Sequence, residues 1–317
     1  MVLLIILSVL AVLLIGGLVA MFIYTYPISK MVYETQLVRT TDEKWGRVCS
    51  APENEEQLKM WNDGIAWMEK HKDKIVEVKT ENDGFKLYGE YFDFSKDRTV
   101  IIIPGRCESL MYSYYFAPPY EKAGFNVLVI DTRCHGKSDG KYNTIGVKES
   151  GDIIKWCELL HKDFSQNDIY IHGICIGTSS GLFALSSDKC PSYLKGLVTE
   201  GCYVSFRETF KRHMMYEKRP RFPVLDLVMH HINKHTGTNV YKSTPLNAIK
   251  KIKENHRILF LYGEQDIFSI PSKSQKLFDA CVSKDKKLVW FEKGGHSHLR
   301  INNTEKYDQA IIDFFKQ

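Results

Sequence analysis

"DIYIHGICIGTSSGLFALSS", Asp168 to Ser187, decides the fold. It opens apolar and β-branched, passes through Gly-x-Cys-x-Gly at Gly173–Gly177, and continues in small residues that suit a helix. A strand that turns at once into a helix, with glycines two before and two after one side chain, needs those glycines because the turn is strained and neighbouring side chains would block the backbone. The residue lifted above the sheet is Cys175, where serine is the usual occupant.

The surrounding rhythm fits such a turn. Short β-like runs recur at "KIVEVKT", "KLYGEYF", "TVIIIP", "NVLVID", "DIYIHG", "KGLVTE", "RILFLYG" and "KLVWFEKGG", and from "TVIIIP" onward helical-length segments separate them. Runs such as "TVIII" and "NVLVI" are apolar without alternation, as strands covered on both faces must be. These features predict an α/β fold with a mostly parallel central sheet and helices on both faces, the first two strands forming an antiparallel edge hairpin around Asn82-Asp83-Gly84. Active sites of such sheets lie at the carboxyl ends of the strands, where Cys175 falls.

With 317 residues, 44% of them hydrophobic, the chain can bury a sizeable core. A net charge of +5, with cations and acids interleaved, gives no nucleic-acid footprint. The eight cysteines (49, 107, 134, 157, 175, 190, 202 and 281) form no CxxC pair and no His/Cys cluster at ligand spacing, so no metal, no cofactor and no disulfide framework is expected.

No residue from Met1 to Ser29 is charged, and Val2 to Tyr24 exceeds the roughly 20 apolar residues that span a bilayer. We read residues 1–29 as a single-pass transmembrane anchor, the membrane being its partner. The competing reading is a signal peptide cut near Ala20, which would ordinarily open with Lys or Arg. Lys30, Arg39 and Lys44 follow the span and only the α-amino group precedes it, which places the large domain in the cytoplasm by the positive-inside rule. Residues 30–74 read as a helical linker, with Leu58, Trp61, Ile65 and Met68 at three- and four-residue steps packing across the domain edge. Residues 75–317 form the main domain, and 201–256, longer than a crossover needs and broken by prolines, form a candidate cap.

The blocks "IIIPGRCESL", "DTRCHGKSDGKY", "HGICIGTSSG", "LYGEQDIF" and "EKGGHSHL", in that order, resemble the α/β-hydrolase superfamily, particularly its bacterial membrane-anchored peptidase-like and acylglycerol-lipase-like branch, over roughly Val78 to Phe315. The resemblance makes His296 the base and Asp266 its orienting acid, in the order nucleophile, acid, histidine. It also implies an oxyanion hole built from the backbone N–H of Ile176 and that of Arg106, although Pro104 stands where relatives carry histidine. His298 and Glu264 compete with His296 and Asp266; His298 reads as a surface residue or one that supports the site from behind, and Glu264 as a loop residue facing water. Asp131, Cys134 and His135 occupy a loop that is structural in relatives. His172 reads as a satisfied strand-end histidine.

A cysteine at the turn resembles dienelactone hydrolase, in the chemistry of the turn only. A thiol beside a histidine and at a helix N-terminus can form a thiolate–imidazolium pair. The expected activity is hydrolysis of ester, thioester, lactone or peptide bonds through an acyl-cysteine, the partner being a small acyl substrate or short peptide. Two alternatives remain open: a pseudo-hydrolase that binds or scaffolds, and an acyltransferase sharing the same intermediate.

Overall fold

In a computed structural model of the chain, residues 1–46, 49 and 51–316 are described. All eight apolar runs become strands of one sheet: β1 (Ile75–Asn82), β2 (Phe85–Phe92), β3 (Arg98–Ile103), β4 (Asn126–Ile130), β5 (Asp168–Ile174), β6 (Leu194–Glu200), β7 (Arg257–Gly263) and β8 (Asp285–Phe291). Their spatial order is β1-β2-β4-β3-β5-β6-β7-β8. β1 and β2 make the expected antiparallel hairpin, with Asp83 and Gly84 at φ 53° and 77°, the paired left-handed conformation that Asp-Gly tolerates. β2 also pairs antiparallel with β4, and every pairing beyond it is parallel.

The helices of ten or more residues among those described are α1 (Val2–Leu37), α2 (Glu55–Lys70), α3 (Glu149–Phe164), α4 (Ile176–Leu185), α5 (Phe206–Tyr216), α6 (Val224–Thr236), α7 (Pro271–Ala280) and α8 (Thr304–Phe315). Both faces of the sheet are covered, which is why the central strands carry no polar alternation. Ile101, Ile103, Leu128 and Ile171 pack with Trp156 of α3 on one face. Val100, Ile102, Val127 and Val129 pack with Trp67 of α2 and Phe314 of α8 on the other.

The first helix is longer than the uncharged segment that announced it. α1 continues past Ser29 to Leu37, with Pro27 inside it. Its first part, to Tyr24, is exposed and reaches a mean hydropathy of 3.2 over its most apolar window, long and apolar enough to cross a membrane. From Thr25 onward one side is buried, Ser29 included, and Val32, Tyr33 and Leu37 pack into a third cluster with Phe206, Phe210 and Met214 of α5 and Val224, Val228 and Ile232 of α6. The cap therefore rests on the second half of the same helix. Within the segment expected to be a helical linker, residues 39–54 are not helical where they are described, and α2 follows, opened by Asn54, whose side chain accepts from the Gln57 N–H at 3.0 Å.

The buried stripe of α2 also differs from the expected one. Met60, Gly64 and Trp67 face inward, while Leu58 is exposed and Trp61, Ile65 and Met68 lie half-buried at the flank. The reason is Gly64: a Cβ there would meet the backbone nitrogen of Tyr115 at 2.9 Å, so the helix comes closest where it has no side chain. Periodicity counted over large apolar residues alone misses a face centred on glycine.

Since Val32, Tyr33, Leu37 and Val38 are each buried to 3% exposure or less against the cap, a chain starting at residue 39 should be less stable than one starting at residue 21. Four apolar side chains at about 1.5–3 kcal/mol each set the scale. The comparison is the thermal midpoint of the two fragments in detergent, with limited proteolysis of the 206–236 segment. Equal midpoints and equal cleavage would show that residues 21–38 are only a tether.

Candidate active site

The turn after β5 has the geometry its glycines demanded. Cys175, half-buried, caps α4 at φ 52° and ψ −111°, a backbone conformation that L-residues rarely adopt and that costs about 1–3 kcal/mol. A Cβ on Gly173 would lie 2.5 Å from the Thr178 nitrogen, and one on Gly177 2.4 Å from the Ile103 carbonyl oxygen. Glycine at both positions is thus what lets the end of β5, the turn and the end of β3 touch. The Cys175 N–H donates to the Glu200 carbonyl at 2.8 Å, and the Thr178 hydroxyl to the Gly173 carbonyl at 2.7 Å, so the strained residue is held from both sides.

Asp266 lies on the loop after β7. Its Oδ1 accepts the backbone N–H groups of Phe268 and Ser269, each at 2.8 Å, and its Oδ2 accepts Nδ1–H of His296 at 2.8 Å. Burial would push this carboxyl up, but the His296 charge and these hydrogen bonds hold it below the usual carboxylate range. The same pairing acts on His296: burial disfavours the imidazolium, yet the charges of Asp266 and Cys175 and their hydrogen bonding raise its pKa well above the ordinary histidine value. With Nδ1 committed to Asp266, Nε2 is the other, buried nitrogen, and the Cys175 thiol is near enough to act on the charge of the ring. Gly201, at φ 65°, closes the far side, where a Cβ would sit 2.9 Å from Cε1 of His296.

The remaining predicted residues are Arg106, on the loop after β3, and Ile176, the first residue of α4. Among the described residues no protein acceptor takes the N–H of Ile176, at the start of α4, or that of Arg106. His135 donates Nε2–H to the Arg106 carbonyl at 2.6 Å, while its Nδ1 lies 3.0 Å from the Thr132 hydroxyl and Trp45 stacks on its ring at 4.7 Å. The guanidinium of Arg106 reaches the Gln36 carbonyl at 3.2 Å and the Gln36 side chain, on the last turn of α1. Asp131 accepts the N–H groups of Leu110 and Lys137, each at 2.8 Å, and shapes the loop.

Several contributors were not singled out in the sequence. Glu200, at the end of β6, is fully buried, bonded to the Tyr307 hydroxyl, and burial pushes it up to about 7. His172, beside it and already read from the sequence as a satisfied strand-end histidine, contacts the Tyr120 and Tyr307 hydroxyls at 3.0 and 3.2 Å, and burial carries it down to about 3. From the cap, His213 of α5 stacks on Phe268 at 3.7 Å and meets the His296 ring edge-on at 6.4 Å. The competitors stand apart: His298 pairs with Glu56 at 2.7 Å, and Glu264 is exposed. A cavity of about 460 Å³ beside Arg39, Asp42, Lys137 and Lys141 is removed from Cys175 and belongs to the loop after β4.

Sheet order, the strained turn and the elements carrying Asp266 and His296 together define the α/β-hydrolase fold. A family model described as "alpha/beta hydrolase fold" matches residues 98–223, a stretch that holds the turn and ends before Asp266 and His296. With the structural neighbours it supports the α/β-hydrolase superfamily for this chain. An esterase of Pyrococcus furiosus superposes with a TM-score of 0.66 at 25% identity, covering 78% of this chain and 93% of the esterase. An uncharacterised Bacillus subtilis protein, YqkD, is 26% identical over 218 residues, 68% of this chain and 70% of its own. An uncharacterised membrane protein of Saccharomyces cerevisiae is 25% identical over 197 residues, and the match spans 62% of each chain, less than two-thirds of the yeast protein.

The electrostatics predict a measurable titration. Because the Asp266 charge raises His296, nitrogen-detected NMR of the ring should place its pKa well above that of a free histidine, and Asp266→Asn should bring it down while Tm changes by only a few degrees. An unchanged titration in Asp266→Asn would remove Asp266 as the partner.

Proposed function

We propose that the chain is a membrane-anchored hydrolase of acyl compounds with Cys175 as nucleophile, His296 as acid and base, and Asp266 as the residue that orients and charges the imidazole. One observation carries the reading: a half-buried thiol on a strained turn beside an imidazole whose other nitrogen is committed to a buried carboxylate at 2.8 Å. The raised pKa of His296 favours an imidazolium, and an imidazolium stabilises a neighbouring thiolate.

In this mechanism the thiolate of Cys175 attacks the acyl carbon, and the carbonyl electron pair moves onto oxygen. The N–H groups of Ile176 and Arg106 receive that oxyanion. Collapse expels the leaving group, which takes its proton from Nε2 of His296, and leaves an acyl-cysteine. Neutral His296 then removes a proton from water as it attacks the thioester, and the second collapse returns the thiolate and the imidazolium. His135 holds the Arg106 carbonyl from behind and so acts as a positioning residue for the oxyanion loop.

The substrates this chemistry favours are activated acyl groups. Thiolate leaves a tetrahedral intermediate more readily than alkoxide, so alkyl esters return to substrate unless His296 protonates the departing oxygen, whereas thioesters, aryl esters and enol lactones go forward. Esterase neighbours support acyl transfer to water as the reaction class. The anchor reading rests on the exposed apolar part of α1, and Lys30, Arg39 and Lys44 after it favour a cytoplasmic domain.

Cys175→Ala should lower kcat/KM by several orders of magnitude with the fold retained. In a substrate series sharing one acyl group, wild type should respond more steeply to leaving-group pKa than Cys175→Ser. Equal slopes would exclude sulfur as the attacking atom, and no turnover of any member would favour a binding protein.

A second expectation concerns pH. If the active form is the thiolate–imidazolium pair, kcat/KM falls on the alkaline side as His296 loses its proton. Asp266 raises that pKa, so Asp266→Asn should move the alkaline limb to lower pH. A limb that stays in place would mean another group titrates there.

A further inference from the structure

The cap carries a surface that the hydrolase reading does not use. Between Phe206 and Val224 the sequence holds six cations, Arg207, Lys211, Arg212, Lys218, Arg219 and Arg221, against two carboxylates, Glu208 and Glu217. Glu217 is spent on Arg219 at 2.6 Å, Glu208 on Lys273 at 3.3 Å, and Arg207 on Asp226 at 2.8 Å, so among the described residues Lys211, Arg212, Lys218 and Arg221 make no ion pair. In the same turn region Met215, Tyr216 and Phe222 are 44%, 68% and 76% exposed. Tyr216 meets Phe268 edge-on at 5.7 Å yet stays mostly exposed, and the three apolar side chains interleave with unpaired cations at the tip of a helical hairpin.

The direction of α6 says where this tip lies. His231 of α6 meets Tyr26 at 5.2 Å and Ser29 at 3.2 Å, and His235, one turn later, stacks on Tyr33 at 5.5 Å. The two helices therefore run the same way. The start of α6 at Val224 is seven residues, or roughly 10 Å, before His231. That brings Phe222 and Arg221 beside the turn of α1 that precedes Tyr26. The apolar residues Val2–Met21 supply the ~20 that cross the hydrocarbon layer. Phe22, Tyr24 and Tyr26 then fall at the headgroup level, where aromatic residues concentrate, and the cap tip falls at the same height.

We propose that the tip of the cap, Met215 to Phe222, docks on an anionic bilayer surface, giving the protein a second membrane contact beside the helix that crosses it. The proposal rests on the reading of residues 1–29 as a transmembrane anchor. Phe222, Tyr216 and Met215 enter the interface, and Lys218, Arg221, Lys211 and Arg212 face the lipid phosphates, each cation near such a surface favouring docking about five-fold. Because α5 also carries His213 over His296, the face of the cap turned to lipid and the face turned to the thiol belong to one helix.

The test uses the full chain in bilayer nanodiscs. Phe222→Trp and, separately, Phe22→Trp add one tryptophan whose emission is read as the difference from the unsubstituted protein, with lipids brominated near the carbonyl as quencher. Both should be quenched, and quenching at position 222 should fall when phosphatidylserine is replaced by phosphatidylcholine or when Lys218, Arg219 and Arg221 are changed together to Gln. Quenching at 22 but not at 222 overturns the docking and leaves the span intact, whereas quenching at neither position overturns both. Quenching at 222 that is equal in the two lipids overturns the anionic surface as occupant. Tyr216→Trp repeats the measurement at a second site on the tip, so a folding failure at 222 leaves the test in force.

Discussion

Two glycines that leave no room for a side chain hold the turn that carries Cys175. No side chain fits at Gly177, 2.4 Å from the Ile103 carbonyl for any Cβ, or at Gly173, 2.5 Å from the Thr178 nitrogen. The ends of β3 and β5 and the start of α4 are thereby brought to backbone contact, and the left-handed conformation of Cys175 is the consequence. Its cost, about 1–3 kcal/mol, is offset by the bonds from the Cys175 N–H to Glu200 and from the Thr178 hydroxyl to Gly173. Relaxing the contact would carry away the thiol, the Ile176 N–H and the loop after β3 together.

A second constraint joins the site to the N-terminal helix. Ile176 is buried in the cluster formed by α1, α5 and α6, and Cys175 packs against that cluster. Arg106 is tied through its carbonyl to His135 and through its guanidinium to Gln36 on the last turn of α1. The apolar helix is thus a structural neighbour of the loop that would receive an oxyanion, and residues 25–38 belong mechanically to the domain they precede.

Which parts were legible follows from the range of the interactions involved. The strands could be read because burial on both faces leaves an unbroken apolar run in the sequence, and the hairpin because Asp83-Gly84 states its own turn. The turn at Cys175 could be read because its glycines are local. What escaped depends on contacts far apart in the chain: Gly64 against Tyr115, His213 above His296, Gly201 against the imidazole, and Glu200 with Tyr307. The far end of α1 escaped for a related reason. Lys30 and Pro27 look like an ending, but packing on the cap outweighs both, as tertiary contacts do when helix propensity is weak.

Cysteine at the turn changes what the histidine must be. A hydroxyl nucleophile needs a neutral imidazole to take its proton, whereas a thiolate needs an imidazolium beside it. Asp266 pushes His296 toward the imidazolium, and the charge of Cys175 adds to the push, so the pair is mutually supporting only while the nucleophile is sulfur. Replacing sulfur by oxygen removes one of the two charges that raise the imidazole and leaves the other, Asp266, in place. The base that remains is then protonated over part of the range in which a hydroxyl would need it free. In the proposed mechanism the Cys175 thiolate and the His296 imidazolium support one another, a mutual charge stabilisation that a hydroxyl in place of the thiol would not give.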